Sequence, residues 1–509
     1  MLSLEAAVQA AAEVGVCAHP LPFRIHDRVS GETRLVQVAC GALIAAKCPS
    51  CARAAQLVRA AQCREGWHLE SEPGRQAAGE EGTDGGGSAA LSEGPEGRPQ
   101  GSRPAESPAL RSTDDQPKQR VQRSTRRRQD AASLPTGRRR AGTLGKTFTG
   151  GNGQVYRPSM FLTLTLPSYG RVRDGAPVAP GTYDYLGAAR DALHFARLVD
   201  RFVQNLRRVA GYPVQYFAVV EPQRRLAPHL HMAIRGTLPR RDMRQIVAAT
   251  YHQVWWPVSS GNVLEGTRHP VWVEGAGYID PETGEVLPTW DEALARMTEP
   301  RHVVRWGSQM RMRGVLVGSE DADRAVRYLA KYLTKSMHEA LLTRWGELSE
   351  AERAHTRRLI ETVRYEPCSP ECSNWLRAGV QPKGARPGMV AGLCHRRAHR
   401  AERLGYGGRR SLVSRSWSGR RVSDYRAERR AWVLAALGRE EEATEDGRLL
   451  WEPVRDGDEG VPSRALRIWH LVAERRAAHE AMKQREDAGR REERTNRDAL
   501  EQGRAEGSA

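Results

Sequence analysis

The chain has 509 residues, with 79 Lys plus Arg against 61 Asp plus Glu, giving a formal charge of +18 and a sequence pI near 9.9. It is 39% hydrophobic and only 6% aromatic, so part of it is expected to stay unpacked, while length alone suggests about three or four domains. No apolar run reaches the roughly 18 residues that a bilayer span needs, and Met1-Leu2-Ser3-Leu4-Glu5 lacks the pattern of a signal peptide, which points to a cytoplasmic protein with a polyanionic partner, nucleic acid ahead of membrane.

Residues 1–70 form an N-terminal cysteine-rich module. Cys40, Cys48, Cys51 and Cys63 read C-x7-C-x2-C-x11-C in a setting where disulfides are rare. The Cys-Pro-Ser-Cys knuckle lets two thiolates reach one tetrahedral Zn²⁺. A redox pair is the competing reading, though no thioredoxin-like βαβ pattern surrounds it. The fourth ligand is open, because Cys17 and His19 are also available.

Residues 71–147 read as a disordered basic linker. No aromatic residue occurs between Trp67 and Phe148, and a Gly, Pro, Ser and Glu text buries too little apolar surface to offset its ordering entropy. Its basic run, which includes Arg126, Arg127 and Arg128, is either a solvated tail or a non-specific phosphate-binding arm.

Residues 148–345 alternate strand-like and helix-like patterns. Phe161-Leu162-Thr163-Leu164-Thr165-Leu166 reads as a strand halted by Pro167, its Leu face turned to a core. Tyr216-Phe217-Ala218-Val219-Val220-Glu221, a turn-like stretch, and Pro228-His229-Leu230-His231-Met232-Ala233-Ile234 read as a β-hairpin. Alternation puts His229 and His231 on one face. With Glu221 on the neighbouring strand they would make a compact site for Mg²⁺, Mn²⁺ or another first-row ion; the alternative is a pair of structural or surface histidines. Residues 325–335 then read as a helix with Tyr328, Tyr332 and Lys335 at i, i+4 and i+7 on one face. An amphipathic helix with snorkelling lysines has the same pattern.

Residues 346–435 read as a second zinc-binding and DNA-contacting segment. Cys368, Cys372 and Cys394, with His399 as the fourth member, suit a Cys₃His site, against free buried thiols as the alternative. Arg409, Arg410, Arg415, Trp417 and Arg420 form a basic, aromatic-containing stretch. It would meet DNA through phosphates and stacking, or be a solvated face. Residues 436–509 read as a charged tail, largely helical or disordered.

A Leu/Thr strand, a His-hydrophobic-His strand and a Tyr-x-x-Lys-Tyr-x-x-Lys helix, in that order, resemble the three motifs of the HUH endonuclease superfamily. The wording further resembles the replication initiators of actinobacterial plasmids. It does so from Val220-Glu221-Pro222-Gln223 through Pro228-His229-Leu230-His231, over residues 249–257, over Pro288-Thr289-Trp290-Asp291-Glu292-Ala293-Leu294, and over residues 328–336. The likeness covers roughly residues 30–70 and 155–430.

The resemblance implies an α+β fold. An antiparallel-sheet, ferredoxin-like HUH endonuclease domain would carry zinc-binding flanking segments and be interrupted by the long disordered linker. It implies metal on His229, His231 and Glu221, and attack by Tyr332 on one strand of the origin. That would leave a 5′-phosphotyrosyl link and a free 3′-hydroxyl for rolling-circle replication. Tyr328 would be a second nucleophile in one branch of the superfamily, and Lys331 and Lys335 would favour the phenolate. The implied partners are double- and single-stranded origin DNA, a host helicase and a DNA polymerase, with no membrane. Two rival readings remain: a relaxase or transposase using the same chemistry, and a non-enzymatic origin-binding regulator. The order of histidine and tyrosine motifs counts against a relaxase, and retention of both histidines and both tyrosines counts against a regulator.

Overall fold

The structure, a computed structural model, describes residues 3–43, 45, 47–69, 128, 130–136, 147–153, 155–257, 264, 268–332, 348–436 and 448–506. Most of the expected linker, with Arg126 and Arg127, and also Lys335 lie outside the described residues.

In chain order, α1 (Leu4–Val14), β1 (Leu21–Asp27), β2 (Thr33–Val38) and α2 (Pro49–Trp67) precede β3 (Phe148–Thr149) and β4 (Val155–Thr165). A small hairpin, β5 (Val172–Arg173) and β6 (Ala176–Pro177), leads to α3 (Tyr185–Ala210). Next come β7 (Tyr216–Pro222), β8 (Pro228–Ile234), α4 (Arg240–Ala249) and β9 (Tyr251–Val254). The hairpin of β10 (Val271–Val273) and β11 (Gly277–Ile279), α5 (Trp290–Ala295) and β12 (His302–Arg305) are followed by β13 (Met310–Val317) and α6 (Glu320–Tyr332). The last elements are α7 (Glu350–Tyr365), β14 (Ser411–Val413), α8 (Val422–Ala436), β15 (Leu449–Pro453) and α9 (Arg464–Glu506).

The central sheet runs β13-β4-β8-β7-β14, with every neighbouring pair antiparallel and β3 on the margin of β4. The leucines of β4, with Leu166 just beyond its end, decide one face. Leu162, Leu164 and Leu166 are buried with Leu230, Met232 and Ile234 of β8 against Phe195, Leu198, Phe202 and Leu206 of α3 and Met243 and Ile246 of α4. α3 begins where the Asp184 side chain accepts the Gly187 N–H and ends at Gly211, whose φ of 76° suits a residue without Cβ.

The opposite face is covered by α6 and α2. Phe217, Val219, Ala233, Val315 and Val317 of the sheet pack with Ala322, Val326 and Leu329 of α6, Cys63 and Trp67 of α2, and Trp417. The Trp67 indole N–H donates to Ser159 Oγ at 2.7 Å, and that of Trp417 to the Cys63 carbonyl at 3.3 Å. Because helices lie on both faces, every residue of β8 is buried, as a central strand requires.

Both chain ends meet in one module. β15 and β2 flank β1, and Ile468 and Val472 of α9 are buried with Ala7, Ala10 and Ala11 of α1. The stretch expected as a charged tail after residue 436 therefore supplies a strand and a packed helix to the N-terminal module. Among the described residues, no helix is long and apolar enough to cross a membrane.

Candidate active site

The β7–β8 hairpin sets Glu221 directly across from His229, and Val219 across from His231. On the other side, β4 sets Thr165 across from His229 and Thr163 across from His231. Paired residues on antiparallel strands share a face, so Glu221, both histidines and Thr163 all look toward α6.

The result is a buried triad: Glu221 is 4% exposed, His229 8% and His231 4%. Oε1 of Glu221 lies 2.9 Å from Nε2 of His229 and contacts Nε2 of His231. Burial by itself would raise the Glu221 carboxyl, but hydrogen bonds from His229 and His231 bring it down to about 2. Burial lowers His231, against the pull of Glu221. One donor atom from each of the three lies within 4.8 Å of the others. Oε2 of Glu221 and Nδ1 of His229 are buried without a hydrogen-bond partner among the described residues, which is costly for a carboxylate unless a cation or water completes it. This nitrogen and carboxylate set fits a divalent ion.

Thr163 does more than its strand pattern predicts. Its Oγ1 lies 2.9 Å from Nδ1 of His231; with a metal bound, an Nδ1–H donated there would turn the Nε2 lone pair to the ion in place of the hydrogen bond to Glu221. Phe161, two residues earlier, stacks on His231 with centroids 6.0 Å apart and meets the edge of Tyr328 at 6.1 Å. Alternation put both residues opposite the Leu face, but only the sheet register shows which imidazole they reach.

α6 brings the phenol. The hydroxyl of Tyr328 lies 3.2 Å from Nε2 of His231 and 3.4 Å from Oε1 of Glu221, while the residue as a whole is 38% exposed. Lys331 is exposed on the same helix. The helix reaches Tyr332 one turn later, but the Tyr332 side chain, like Lys335, lies outside the described residues.

The first cysteine cluster differs from the predicted set. Cys17, Cys40, Cys48 and Cys51 come together, with Sγ separations of 3.7 Å for Cys40–Cys51 and 3.9 Å for Cys48–Cys17. Four thiolates on one Zn²⁺ at about 2.3 Å would be spaced about 3.8 Å apart. The hydrogen bond from Cys51 holds the Cys17 thiol down to about 5 despite burial, helped by the Cys40 and His19 N–H groups. Cys63 sits elsewhere. It is 1% exposed in the core between α2 and the sheet, where burial pushes its thiol up. The spacing offered Cys63 as fourth ligand, with Cys17 and His19 as alternatives, but a helix that starts at Pro49 carries Cys63 more than three turns away from Cys51.

The second cluster assembles as read. Cys368, Cys372, Cys394 and His399 present their donor atoms within 4.8 Å of one another. Burial opposes charge on His399, yet hydrogen bonds to Cys372 and Cys394 raise it to about 10. Its Nδ1 lies 2.9 Å from the Val363 carbonyl of α7, an acceptor that orients a metal-binding imidazole.

The basic stretch after residue 408 divides. Trp417 is fully buried under Arg235 and beside Trp67, so it offers no surface for stacking on a base; its indole fills the space left by Gly66 in α2. Arg420 pairs with Glu65 at 3.4 Å and with Glu428 and lies over the Tyr425 ring. Arg410 is half-buried, and its Nε donates to the Val220 carbonyl at 3.4 Å. Arg409 and Arg415 are exposed. Arg128 pairs with Asp130 at 2.9 Å, and Asp130 also contacts Arg305.

Comparison with known proteins gives the family of the chain. The sequence model of the RepSA family, described as "Replication initiator protein, pSAM2", matches residues 3–474. The chain belongs to this replication initiator family. A curated relative from Streptomyces ambofaciens, named "Replication initiator protein", is 30% identical over 264 residues, covering 43% of this chain and 52% of the relative. The chain thus spans about half the length of the curated relative it matches. No solved structure matches.

Proposed function

We propose that this replication initiator is a plasmid rolling-circle nickase of the HUH type, which binds its origin and cleaves one strand by tyrosine attack. The observation that carries the reading is the phenol of Tyr328 beside a buried Glu221–His229–His231 triad that retains two orphaned polar atoms. The sheet order β13-β4-β8-β7, with α3 between β4 and β7 and α4 after β8, supports a ferredoxin-like, split βαβ reading of the domain.

Glu221, His229 and His231 would hold Mg²⁺ or Mn²⁺. Such an ion supplies Lewis-acid polarisation of the scissile phosphate and offsets charge on the transition state. The protein's own groups do the rest. Thr163 and Phe161 fix the His231 ring, and α6 delivers the phenol of Tyr328 to the triad. A phenol oxygen forms a bond to phosphorus as the bond from phosphorus to the 3′ oxygen breaks, and the phenolic proton ends on that 3′-hydroxyl. One phosphodiester becomes one phosphotyrosyl ester, so rejoining consumes no ATP and the 3′ end can prime a polymerase. Tyr332 is the proposed first nucleophile, with Tyr328 as its partner a turn earlier for a second transfer. Lys331 and Lys335 favour the phenolate, since a free phenol has a pKa of about 10.

The cysteine clusters are proposed as structural Zn²⁺ sites: Cys17, Cys40, Cys48 and Cys51 in the module formed by both chain ends, and Cys368, Cys372, Cys394 and His399 below α7. The test of the whole reading is incubation with the supercoiled parent plasmid and Mn²⁺ or Mg²⁺, followed by denaturing electrophoresis. A nicked circle bearing covalent protein is expected, and it should vanish with chelator and in His229→Ala/His231→Ala. Tight origin binding with no cleavage of either duplex or single-stranded origin would instead establish a non-enzymatic regulator.

A further inference from the structure

Arg311 and Arg313 stand on β13 beside the triad, in a register that the sheet fixes. Arg311 pairs with Thr163 of β4 and Arg313 with Phe161, while Thr163 pairs on its other side with His231. Paired residues on antiparallel strands share a face, so both arginines lie on the face that carries Glu221, His229 and His231. The packing of β13 agrees. Val315 and Val317, which continue the same alternation, are buried with α6, whereas Met310 and Met312 pack on the core under α3. Two strand spacings, about 10 Å, separate the backbone of Arg311 from that of His231.

This is the open side of the face. Toward β7, Phe217 and Val219 are buried with Cys63 and Trp67 of α2 and with Trp417, and the Gln56 amide of α2 donates to the Ala330 carbonyl of α6 at 2.8 Å. At the other margin β13 is an edge strand, and Arg311 and Arg313 are exposed. Among the described residues of the sheet's strands, they are the exposed cations on the triad face; Arg157 of β4 is buried. They also lack counter-charge. Arg311 has no hydrogen-bond or ion-pair partner among the described residues. Arg313 donates to the Asp321 carbonyl at 3.5 Å, but the carboxylates of Asp321 and Asp323 in the first turn of α6 pair with Arg324 at 2.7 Å and Arg64 at 3.2 Å. A phosphodiester is the planar-fork acceptor that such guanidinium groups suit.

We propose that Arg311 and Arg313 hold the backbone of the single strand next to the phosphate that is cut, so that the strand reaches the triad across β4 from the β13 edge. This rests on the nicking reading above and adds the side from which the strand comes. Phosphate contacts carry no sequence information; they set the register of the strand on the protein. The competing role for arginines on an edge strand is to block edge-to-edge pairing, which asks nothing of DNA.

The experiment is equilibrium binding of a fluorescein-labelled oligothymidylate to the full chain over a range of salt. Each phosphate contact on a single strand contributes about 0.7 to the slope of log K against log salt. Arg311→Gln/Arg313→Gln should therefore flatten the slope by up to about 1.4. The control removes two exposed charges elsewhere, Arg475→Gln/Arg476→Gln, and should change the slope much less. An oligonucleotide with a neutral methylphosphonate backbone should bind wild type and double variant alike. If the double variant melts early, Arg311→Gln alone carries the test with a loss of about 0.7. Place on the strand is read with origin oligonucleotides carrying one methylphosphonate at a time. Neutralising a phosphate next to the cut should weaken wild type and leave the double variant unchanged.

Coincident slopes for wild type and double variant, with or without self-association of the variant, would overturn the proposal, as would an equal loss in the control. The nicking reading is judged separately. A wild type that cuts its origin while the slopes coincide loses the β13 contact alone. A wild type that never cuts, yet shows the slope that depends on Arg311 and Arg313, loses the nicking reading alone.

Discussion

The hydroxyl of Tyr328 stands 3.2 Å from Nε2 of His231, so a residue of helix α6 closes a site whose other members come from three adjacent strands. The contact is long-range, 97 residues apart in the chain. It makes the tyrosines of α6 the first residues to test. Tyr328→Phe/Tyr332→Phe should lose covalent attachment to DNA by about 10³-fold or more, as expected when a nucleophile is removed, while binding of a single-stranded origin is retained. Tyr332→Phe alone should block the first cut, and Tyr328→Phe alone should let the first cut proceed and impair the second transfer. Cleavage and rejoining of a labelled origin oligonucleotide separates the two steps. Covalent adduct formed by the double variant would rule out the tyrosine mechanism.

Thr163 controls the ring that Tyr328 faces. Thr163→Val keeps the shape of the side chain but removes the oxygen 2.9 Å from Nδ1 of His231. Loss of such an outer partner typically lowers metal affinity about 10–100-fold. Titration with Mn²⁺ followed by electron paramagnetic resonance should show that weakening. An unchanged affinity would assign Thr163 to the sheet alone.

Metal analysis discriminates between Cys17 and Cys63. If both cysteine clusters hold zinc, Cys17→Ser should drop the content from two equivalents to one and destabilise the module formed by the chain ends. Cys63→Ser should leave two equivalents bound. The opposite pattern would restore the assignment that spacing alone suggested.

Two histidines away from the triad predict acid sensitivity. Burial, reinforced by the charges of Arg201, Arg197 and His302, holds His252 down to about 4. Burial also lowers His194, with the charge of His252 adding to it. In the unfolded chain both imidazoles titrate near 6.5. The unfolded state therefore binds more protons between these values, and stability rises with pH there. The His252 contribution is present above about pH 6.5 and is lost as pH falls through about 4, and His194 adds to it in the same direction. Denaturation midpoints across this window should decline toward acid, and His252→Gln should decline less steeply. Identical profiles for the two proteins would remove His252 from the account.

Gly66 lets α2 lie against the sheet. A Cβ there would stand 2.2 Å from Cδ1 of Trp417 and 2.6 Å from its carbonyl oxygen. Gly66→Ala improves helix propensity in the last turn of α2, yet overpacking against backbone should outweigh the gain and destabilise by about 1–3 kcal/mol. Thermal melting decides the sign, and a raised melting temperature would show that Trp417 can move aside.

Much of the site was legible without coordinates. The alternation of β8 places His229 and His231 on one face whatever the strand pairs with, and the 3.6-residue period aligns Tyr328 with the turn that ends at Tyr332. The Cys-Pro-Ser-Cys knuckle and the Cys₃His group were likewise visible as spacings, because their members are close in sequence.

Tertiary structure decided the partnerships. Strand periodicity gives a face but not a neighbour, so only the pairing of β4 with β8 shows that Thr163 reaches His231. Composition marks Trp417 as aromatic among arginines, but its burial depends on Gly66 and Trp67 from α2, about 350 residues earlier in the chain. The exchange of Cys63 for Cys17 has the same cause. Cys63 is carried away along α2, while Cys17 is brought in where α1 packs on α9 and the chain ends share one core. Local sequence determines which way side chains point along a helix or strand. Which of them meet is set by packing between segments far apart in the chain, and no local period encodes it.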